Sequence, residues 1–451
     1  MTATSAPYLA WYGDDFTGAA AVMEVLEFAG YASVLFLDLP DAAALARFPG
    51  RFAVGVAGDA RSRNPSWMNA NLPGMFAALR ATGARIVHYK ACSTMDSAPG
   101  IGSIGRASEI GLADGGWAPM IFAAPTLGRW QAFGNLFARA PGGIARLDRH
   151  PTMRHHPVTP MDEADVRLHV ARQTDLAIDL VDCAALAAGD GPARLSEVVA
   201  AGARIVAIDI MDAATLKAAG QLLWQAADEA PLFALGSQGV EYALVAARPR
   251  LAEVKVAERV KQVVVISGSA SPDTARQIAV AEAQGFAGIR VDAVAALYPH
   301  TWASEAERAT KAALQVLDKS GSPILHTALG PDDPALAHVA SARKTAGIAP
   351  EDANRNLARA LGDLLAVILR ANPCRAVIAG GDTSSHATRG LGITALTAKA
   401  RIAPGAPLLE GHRPDGSTIE LVLKGGQMGR PDFFITTRDG LTFPAQPKET
   451  K

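Results

Sequence analysis

The sequence is short of cysteine, of net charge and of long apolar runs, and each shortage argues against a class of protein. Its three cysteines, Cys92, Cys183 and Cys374, lie far apart, are odd in number and form no C-x-x-C pair. That pattern speaks against a disulfide framework and a structural zinc site, and a reducing cytoplasm is the expected compartment. A formal net charge of −1 argues against general nucleic-acid binding, which needs a basic surface to displace counterions. No apolar stretch reaches the roughly 20 residues that span a bilayer, so no membrane partner is expected. The N-terminal stretch MTATSAPYLAWYGDDFTG lacks a basic region followed by an apolar one, so no signal peptide is expected. Two nucleotide fingerprints are also missing: G-x-x-x-x-G-K-[ST], and G-x-G-x-x-G followed by an acid about twenty residues on.

What is present is apolar material in quantity. The 451 residues are 49% hydrophobic and 19% charged, enough for large cores and more than one ordinary domain. Short β-branched runs alternate with helical stretches. Tyr8–Tyr12, Ser33–Leu37, Phe52–Ala57, Arg85–Tyr89, Met120–Ala123, Ile205–Asp209 and Leu232–Leu235 read as strands, and Phe16–Ala29, Ser66–Ala81 and Ser103–Ile110 as helices. After the charged segment Arg248–Gln262 the pattern restarts, with strands Val263–Ile266 and Ala376–Ala379 and helices Asp273–Ala283 and Ala353–Arg370. Residues Ala406–Phe434 read as two or three further strands, and Arg146–Pro160 as an ordered loop. The alternation predicts an α/β fold of two domains, residues 1–250 and 260–445, each a mostly parallel sheet flanked by helices.

Polar clusters recur at the carboxyl ends of these strands, where open α/β sheets bind ligands. Gly13-Asp14-Asp15-Phe16-Thr17-Gly18 ends the first strand and opens a helix. Its carboxylates suit proton removal from a hydroxyl or a bound magnesium ion; an aspartate there also caps a helix. Asp59-Ala60-Arg61-Ser62-Arg63 supplies guanidinium forks suited to a carboxylate, or is a solvated loop. Lys90-Ala91-Cys92-Ser93-Thr94-Met95-Asp96 suits a polyhydroxylated anion, and Pro125–Arg129 follows the next strand in the same way. In the second half, Ser267-Gly268-Ser269-Ala270-Ser271, Gly380-Gly381-Asp382-Thr383-Ser384 and Lys424-Gly425-Gly426-Gln427-Met428-Gly429 are small-residue turns between elements. Each alone is a common tight turn; three in one domain suggest a phosphate or nucleotide site.

In this order the motifs GDDFTG, DARSR, PTLGR, GSQG, SGSASPDT, GGDTS and KGGQMGRPDFF resemble those of the four-carbon acid sugar kinases, over nearly the whole chain. The resemblance implies an N-terminal acid-sugar-binding domain, a C-terminal nucleotide-binding domain, and phosphorylation of a hydroxyl on a small sugar acid by ATP with Mg²⁺. It implies Asp15 at the reacting hydroxyl with Asp14 beside it, Arg61 at the carboxylate end, and Lys90, Ser93, Thr94 and Asp96 around the acid. On the nucleotide side it implies Ser267, Gly268, Ser269, Gly380, Gly381, Asp382, Thr383 and Gly426. The partners expected are the acid and ATP, with neither nucleic acid nor membrane; a homo-oligomer is left open.

One stretch departs from the family pattern. Where the family reads close to K-I-D-S-T-L-R-G-N, this chain has Lys90-Ala91-Cys92-Ser93-Thr94-Met95-Asp96-Ser97-Ala98-Pro99. An Asp position is Cys92, an Arg-Gly is missing, and Asp96 is new. The altered stretch resembles the branch associated with RuBisCO-like proteins, which implies 3-oxo-isoapionate or a similar oxo acid; the alternative acceptors are 3-oxo-tetronate, threonate or erythronate. A non-catalytic sugar-acid and nucleotide sensor is the reading from another class, and a dehydrogenase is disfavoured by the missing fingerprint. His150, His155 and His156 share a loop with Asp148 but no thiolate and are set aside as a metal site. Pro331-Asp332-Asp333-Pro334 is read as a turn.

Overall fold

The structure, a computed structural model, describes residues 6–140, 142–252 and 257–440. The expected domain end at 445 and residues 253–256 of the expected boundary segment lie outside the described residues. The chain divides into two compact units, Met1–Ala252 and Glu253–Lys451.

The first unit is built on β1 (Leu9–Gly13), β2 (Ser33–Phe36), β3 (Ala53–Ala57), β4 (Ile86–Lys90) and β5 (Ala118–Ile121). A small three-stranded antiparallel sheet follows: β6 (Arg129–Ala132), β7 (Asn135–Ala140) and β8 (Gly143–Arg146). Strands β9 (Ile178–Val181), β10 (Ile205–Ile208) and β11 (Leu232–Gly236) complete the main sheet. Its order is β2-β3-β1-β4-β11-β5-β10-β9, and each of these pairings is parallel. Helices cover both faces of such a sheet, so its strands read as unbroken apolar runs rather than alternations; Leu9–Gly13 and Ala53–Ala57 are buried at every residue. Tyr12, Phe76, Tyr89 and Phe233 anchor one core, with Tyr12 and Tyr89 stacked at 6.1 Å and Phe76 edge-on to Phe233 at 5.1 Å.

The second unit contains β12 (Val263–Ser267), β13 (Phe286–Arg290), β14 (Ser322–His326), β15 (Arg375–Ala379), β16 (Ala395–Ala403), β17 (Ala406–His412) and β18 (Thr418–Lys424). The order β13-β14-β12-β15-β18 is parallel, and β18, β17 and β16 continue it antiparallel. Val263, Val265, Ile324, Val377, Val422, Phe433 and Phe434 form its core. The mixed α/β class with mostly parallel sheets is as the alternation predicts.

One expected strand shifts by two residues. The strand expected at Met120–Ala123 is Ala118–Ile121; Phe122 and Ala123 stay buried but leave the ladder. Ala406–Phe434 holds two strands, within the two or three expected, and then enters the helix Phe433–Asp439. The loop at 146–160, expected to be ordered, carries two single 3₁₀ turns, Leu147–Arg149 and Met153–His155.

Candidate active site

Parallel register places the polar clusters side by side. Gly13 is paired with Ala57 and with Lys90, and Lys90 with Gly236. The strands therefore end in one row, and the residues that follow them share one edge. The chain moves from β1 to β2 to β3 on one side and then crosses to β4 on the other. That reversal makes β1 the switch point of the sheet, where a crevice opens beyond the carboxyl ends. GDDFTG is the segment that leaves β1.

Asp14 is 2% exposed. Arg61 donates to it twice, Nε to Oδ2 at 3.1 Å and Nη2 to Oδ1 at 2.7 Å. The same Nη2 donates to Asp15 Oδ1 at 2.6 Å. Burial raises the Asp14 pKa and the neighbouring Asp15 adds to the rise, with the Arg61 charge opposing. Asp15 is also the N-cap of the helix Phe16–Glu27, its Oδ1 accepting from the Gly18 amide at 3.0 Å. Capping is thus one of its functions, carried by Oδ1, and Oδ2 has no partner among the described residues. A Cβ at Gly18 would fall 2.3 Å from Asp15 Oδ1 and 2.9 Å from Lys90 Nζ, so glycine is what lets both side chains close over that first turn.

Arg61 thus spends Nε and Nη2 on the two aspartates, whereas sequence alone suggests a fork presented to the substrate; Nη1 has no partner among the described residues. Lys90 is 2% exposed and donates to Ala91 O at 2.6 Å. Ser93 is half-buried, and its hydroxyl has no partner among the described residues. Thr94 is committed to the loop itself, with Cys92 Sγ at 3.1 Å and a bond donated to Asp96 Oδ1 at 2.9 Å. Met95 between them takes φ +55°. Burial pushes the Cys92 thiol upward, the reverse of what a nucleophilic thiolate needs.

Arg129 ends the PTLGR motif, and its residue type alone implies no role. Its Nη1 donates to Leu127 O and Gly128 O at 3.3 and 3.0 Å, its Nε is buried without a partner, and it makes no ion pair among the described residues. Burial lowers its pKa, while Cys92 and Asp96 favour its charge. An unpaired guanidinium beside the altered Lys90–Asp96 stretch can receive an anion. The signal in the sequence was its place one turn beyond a strand end.

The second unit repeats the plan. Ser267 is paired with His326 and Ala379, and Ala379 with Lys424. The chain runs β12, β13, β14 and then crosses β12 to reach β15, so β12 is the switch point and SGSAS leaves it. Ser269 N donates to Ser267 Oγ at 3.3 Å, and Ser271 N to Ser269 Oγ at 3.2 Å. Gly380 takes φ +124° and precedes the helix Gly381–Gly390, which has no side-chain cap. The first amides of an uncapped helix lack intrahelical acceptors and favour an anion. Thr383 is 5% exposed, and a Cβ at Gly268 would lie 2.5 Å from its hydroxyl. A Cβ at Gly426 would lie 2.7 Å from Ser269 Oγ, so the third turn touches the first. The side chain of Asp382 lies outside the described residues. In each unit the expected residues therefore gather at one sheet edge.

Among the described residues no group of three or more His, Cys, Asp or Glu side chains could hold a metal ion. His150 and His156 serve their own loop: His150 Nδ1 accepts from Thr152 N at 3.2 Å, and His156 Nδ1 from Thr159 N at 3.1 Å. Asp333 is bound by Arg290 and caps the helix Pro334–Thr345. A concavity lined by Arg80, Arg85, Asp114, Trp117 and Phe233 lies at the opposite, amino-terminal edge of the first sheet, away from these clusters. No described helix is long and apolar enough to cross a membrane.

Residues 9–244 match the sugar-binding N-terminal domain family, and residues 264–434 the nucleotide-binding C-terminal domain family. A Paraburkholderia graminis protein named 3-oxo-isoapionate kinase is 45% identical over 443 residues, covering 96% of this chain and 94% of its own. A Cupriavidus necator 3-oxo-tetronate kinase is 31% identical over 442 residues, covering 95% and 96%. A crystal structure from Salmonella typhimurium LT2 superposes with a TM-score of 0.79 at 26% identity, over 95% of this chain and 98% of that one. One from Haemophilus influenzae, at 24% identity and a TM-score of 0.75 over 95% and 98%, shares the fold. With both halves matched by its two domain families, and relatives aligned from end to end, this chain belongs to the four-carbon acid sugar kinase family.

Proposed function

We propose that the chain transfers the γ-phosphoryl group of ATP to a hydroxyl of a small sugar acid, and that the acid is 3-oxo-isoapionate. The observation that carries the acceptor chemistry is the Asp14–Arg61–Asp15 arrangement at the switch point of the first sheet. Arg61 and the Gly18 amide hold Asp15 by Oδ1, leaving Oδ2 to take the proton of the acceptor hydroxyl. The hydroxyl oxygen forms a bond to the γ-phosphorus, the bond from that phosphorus to the β-γ bridging oxygen breaks, and ADP leaves. Asp14 fixes the plane of Arg61, whose Nη1 remains for the substrate. Arg129 is a second cation for the carboxylate, with Lys90, Ser93, Thr94 and Asp96 around the hydroxyls.

On the donor side, Ser267, Gly268, Ser269, the Gly380–Thr383 helix start and Gly426 would take the nucleotide, with backbone amides supplied by the first turn of that helix and by Gly426. Phosphoryl transfer asks chiefly for such positioning and charge stabilisation. Mg²⁺ would neutralise phosphate charge when bound. Asp273, in the first turn of the helix Pro272–Glu282, is the carboxylate that would serve a magnesium ion otherwise held by water and phosphate.

The substrate assignment is supported by the 45% identical relative named for 3-oxo-isoapionate, and by the altered Lys90–Asp96 stretch. An ADP-release assay over 3-oxo-isoapionate, 3-oxo-tetronates, threonate and erythronate tests it. The highest kcat/KM is expected on 3-oxo-isoapionate. Turnover confined to threonate or erythronate would sink the assignment, and no turnover on any acid would leave the sensor reading.

A further inference from the structure

We propose that Lys424 is a positioning residue for the nucleotide phosphates: a buried ammonium that draws two carbonyls inward and so turns the amides of Gly426 and Gln427 outward, toward an anion. The inference rests on the nucleotide reading of the second unit.

Lys424 ends β18 and is 1% exposed. Its carbonyl accepts from Gly380 N at 2.9 Å, which ties it to the second glycine turn. Its Nζ donates to Thr274 Oγ1 at 3.0 Å, to Gly425 O at 3.0 Å and to Gly426 O at 3.3 Å. An ammonium has three donors, so these bonds exhaust it, and it has no N–H left for a phosphate. Its effect must pass through the turn. A trans peptide unit is planar, with its C=O and N–H on opposite sides. Drawing Gly425 O inward sends the Gly426 N–H outward, and drawing Gly426 O inward sends the Gln427 N–H outward. Neither amide has an acceptor among the described residues, whereas the next one, Met428 N, donates back to Gly425 O at 3.2 Å. Two successive free amides of this kind form an anion-binding concavity.

The same contacts join this turn to the serine loop. The Thr274 hydroxyl that accepts from Lys424 lies 2.8 Å from Gly426 O and 3.2 Å from Ser269 Oγ. Gln277 Nε2 holds the far side of the turn by Met428 O, Gly429 O and Arg430 O at 2.9, 3.0 and 3.1 Å. Lys424 makes no ion pair among the described residues. Asp273 on the helix Pro272–Glu282 favours its charge, the helix Phe433–Asp439 offers the Phe433 ring at 5.8 Å, and the ends of β12 and β15 offer Ser267, Gly268, Ala379 and Gly380, none of them ionisable. An ammonium so placed is costly to bury without a counter-charge, and a bound polyphosphate would supply one. Burial lowers its pKa to about 8.

The test is titration of the full-length protein with Mg-ATP and, separately, with adenosine. In Lys424→Met, ATP affinity is expected to fall about tenfold or more with adenosine affinity unchanged. The wild-type affinity for ATP is expected to decline from about pH 7 to about pH 9.5 as the lysine loses its proton, and the variant to be flat over that range. Thr274→Val, which removes one acceptor without a charge, is expected to lose less. Equal ATP affinity in wild type and Lys424→Met, or equal losses for ATP and adenosine, overturns the inference alone. Should Lys424→Met not fold, a flat wild-type pH profile overturns it without any variant. A wild-type protein that binds no ATP overturns the nucleotide reading and this inference together.

Discussion

Arg61 is the residue on which the acceptor chemistry and local stability both depend. It neutralises Asp14, which is 2% exposed, and positions Asp15 with the same nitrogen. Removing one partner of a buried ion pair strands the other, at a cost of about 3–5 kcal/mol. Arg61→Ala is therefore expected to lower the denaturation midpoint as well as turnover, and a variant with unchanged thermal stability would show that Asp14 needs no counter-charge. Asp15→Asn keeps an oxygen to cap the helix but cannot accept the proton. Its kcat is expected to fall by a factor of about 10²–10⁴ with ATP affinity retained; near-normal kcat would remove Asp15 from the role of base. Arg129 makes no ion pair among the described residues, so Arg129→Ala is expected to raise KM for the acid while leaving stability nearly unchanged. A loss confined to kcat would count against carboxylate binding.

Elements differ in how plainly their residues announce them. The central strands are legible because parallel strands covered on both faces are apolar throughout. The strand Ala118–Ile121 carries Pro119, and a proline inside a run argues against a strand, so the sequence points two residues too far on. The small sheet escapes notice because its β6–β7 turn is Phe133-Gly134, both at positive φ, where Asn-Gly or Asp-Gly would signal a hairpin. Asp209 makes that turn possible by accepting from both amides, a contact between residues more than seventy positions apart in sequence. The strand Ala395–Ala403 is alanine-rich and reads by propensity as a helix. Element packing also sets a pH response. Burial lowers the pKa of His169, in the helix Val166–Ala171, and of His326, at the end of β14, from 6.5 to about 4. Between pH 6.5 and about 4 the unfolded chain takes up protons that the folded one refuses. Stability is therefore full above that window and falls as pH drops through it. Urea midpoints between about pH 7 and pH 5 should decline less steeply in His169→Gln than in the wild type; identical slopes would show that His169 is not held neutral.

At the scale of the whole chain, one plan occurs twice. Each unit runs a strand, a second strand two places away, a third between them, and then crosses to the other side of the first: 2-3-1-4 in the first unit and 13-14-12-15 in the second. The two switch points carry different chemistry, paired carboxylates with an arginine in one, and a loop of serine, glycine and alanine in the other. Amide exchange should report them separately. The acid is expected to protect residues 13–18, 59–63 and 90–96, and Mg-ATP residues 267–271, 380–384 and 425–429. Protection of the first set by ATP alone, with none in the second, would reverse the assignment of the units. The strand–helix alternation, the two-part layout and the motifs follow from the order of residues, because apolar periodicity, caps and glycine turns are local properties. Strand order, and with it which motif stands at a switch point, follows only from the folded chain. The same holds for Arg61 serving Asp14 and Asp15, for Arg129 having no carboxylate partner among the described residues, and for Lys424 facing inward. Each of these depends on register and burial, which bring together residues that no local pattern links.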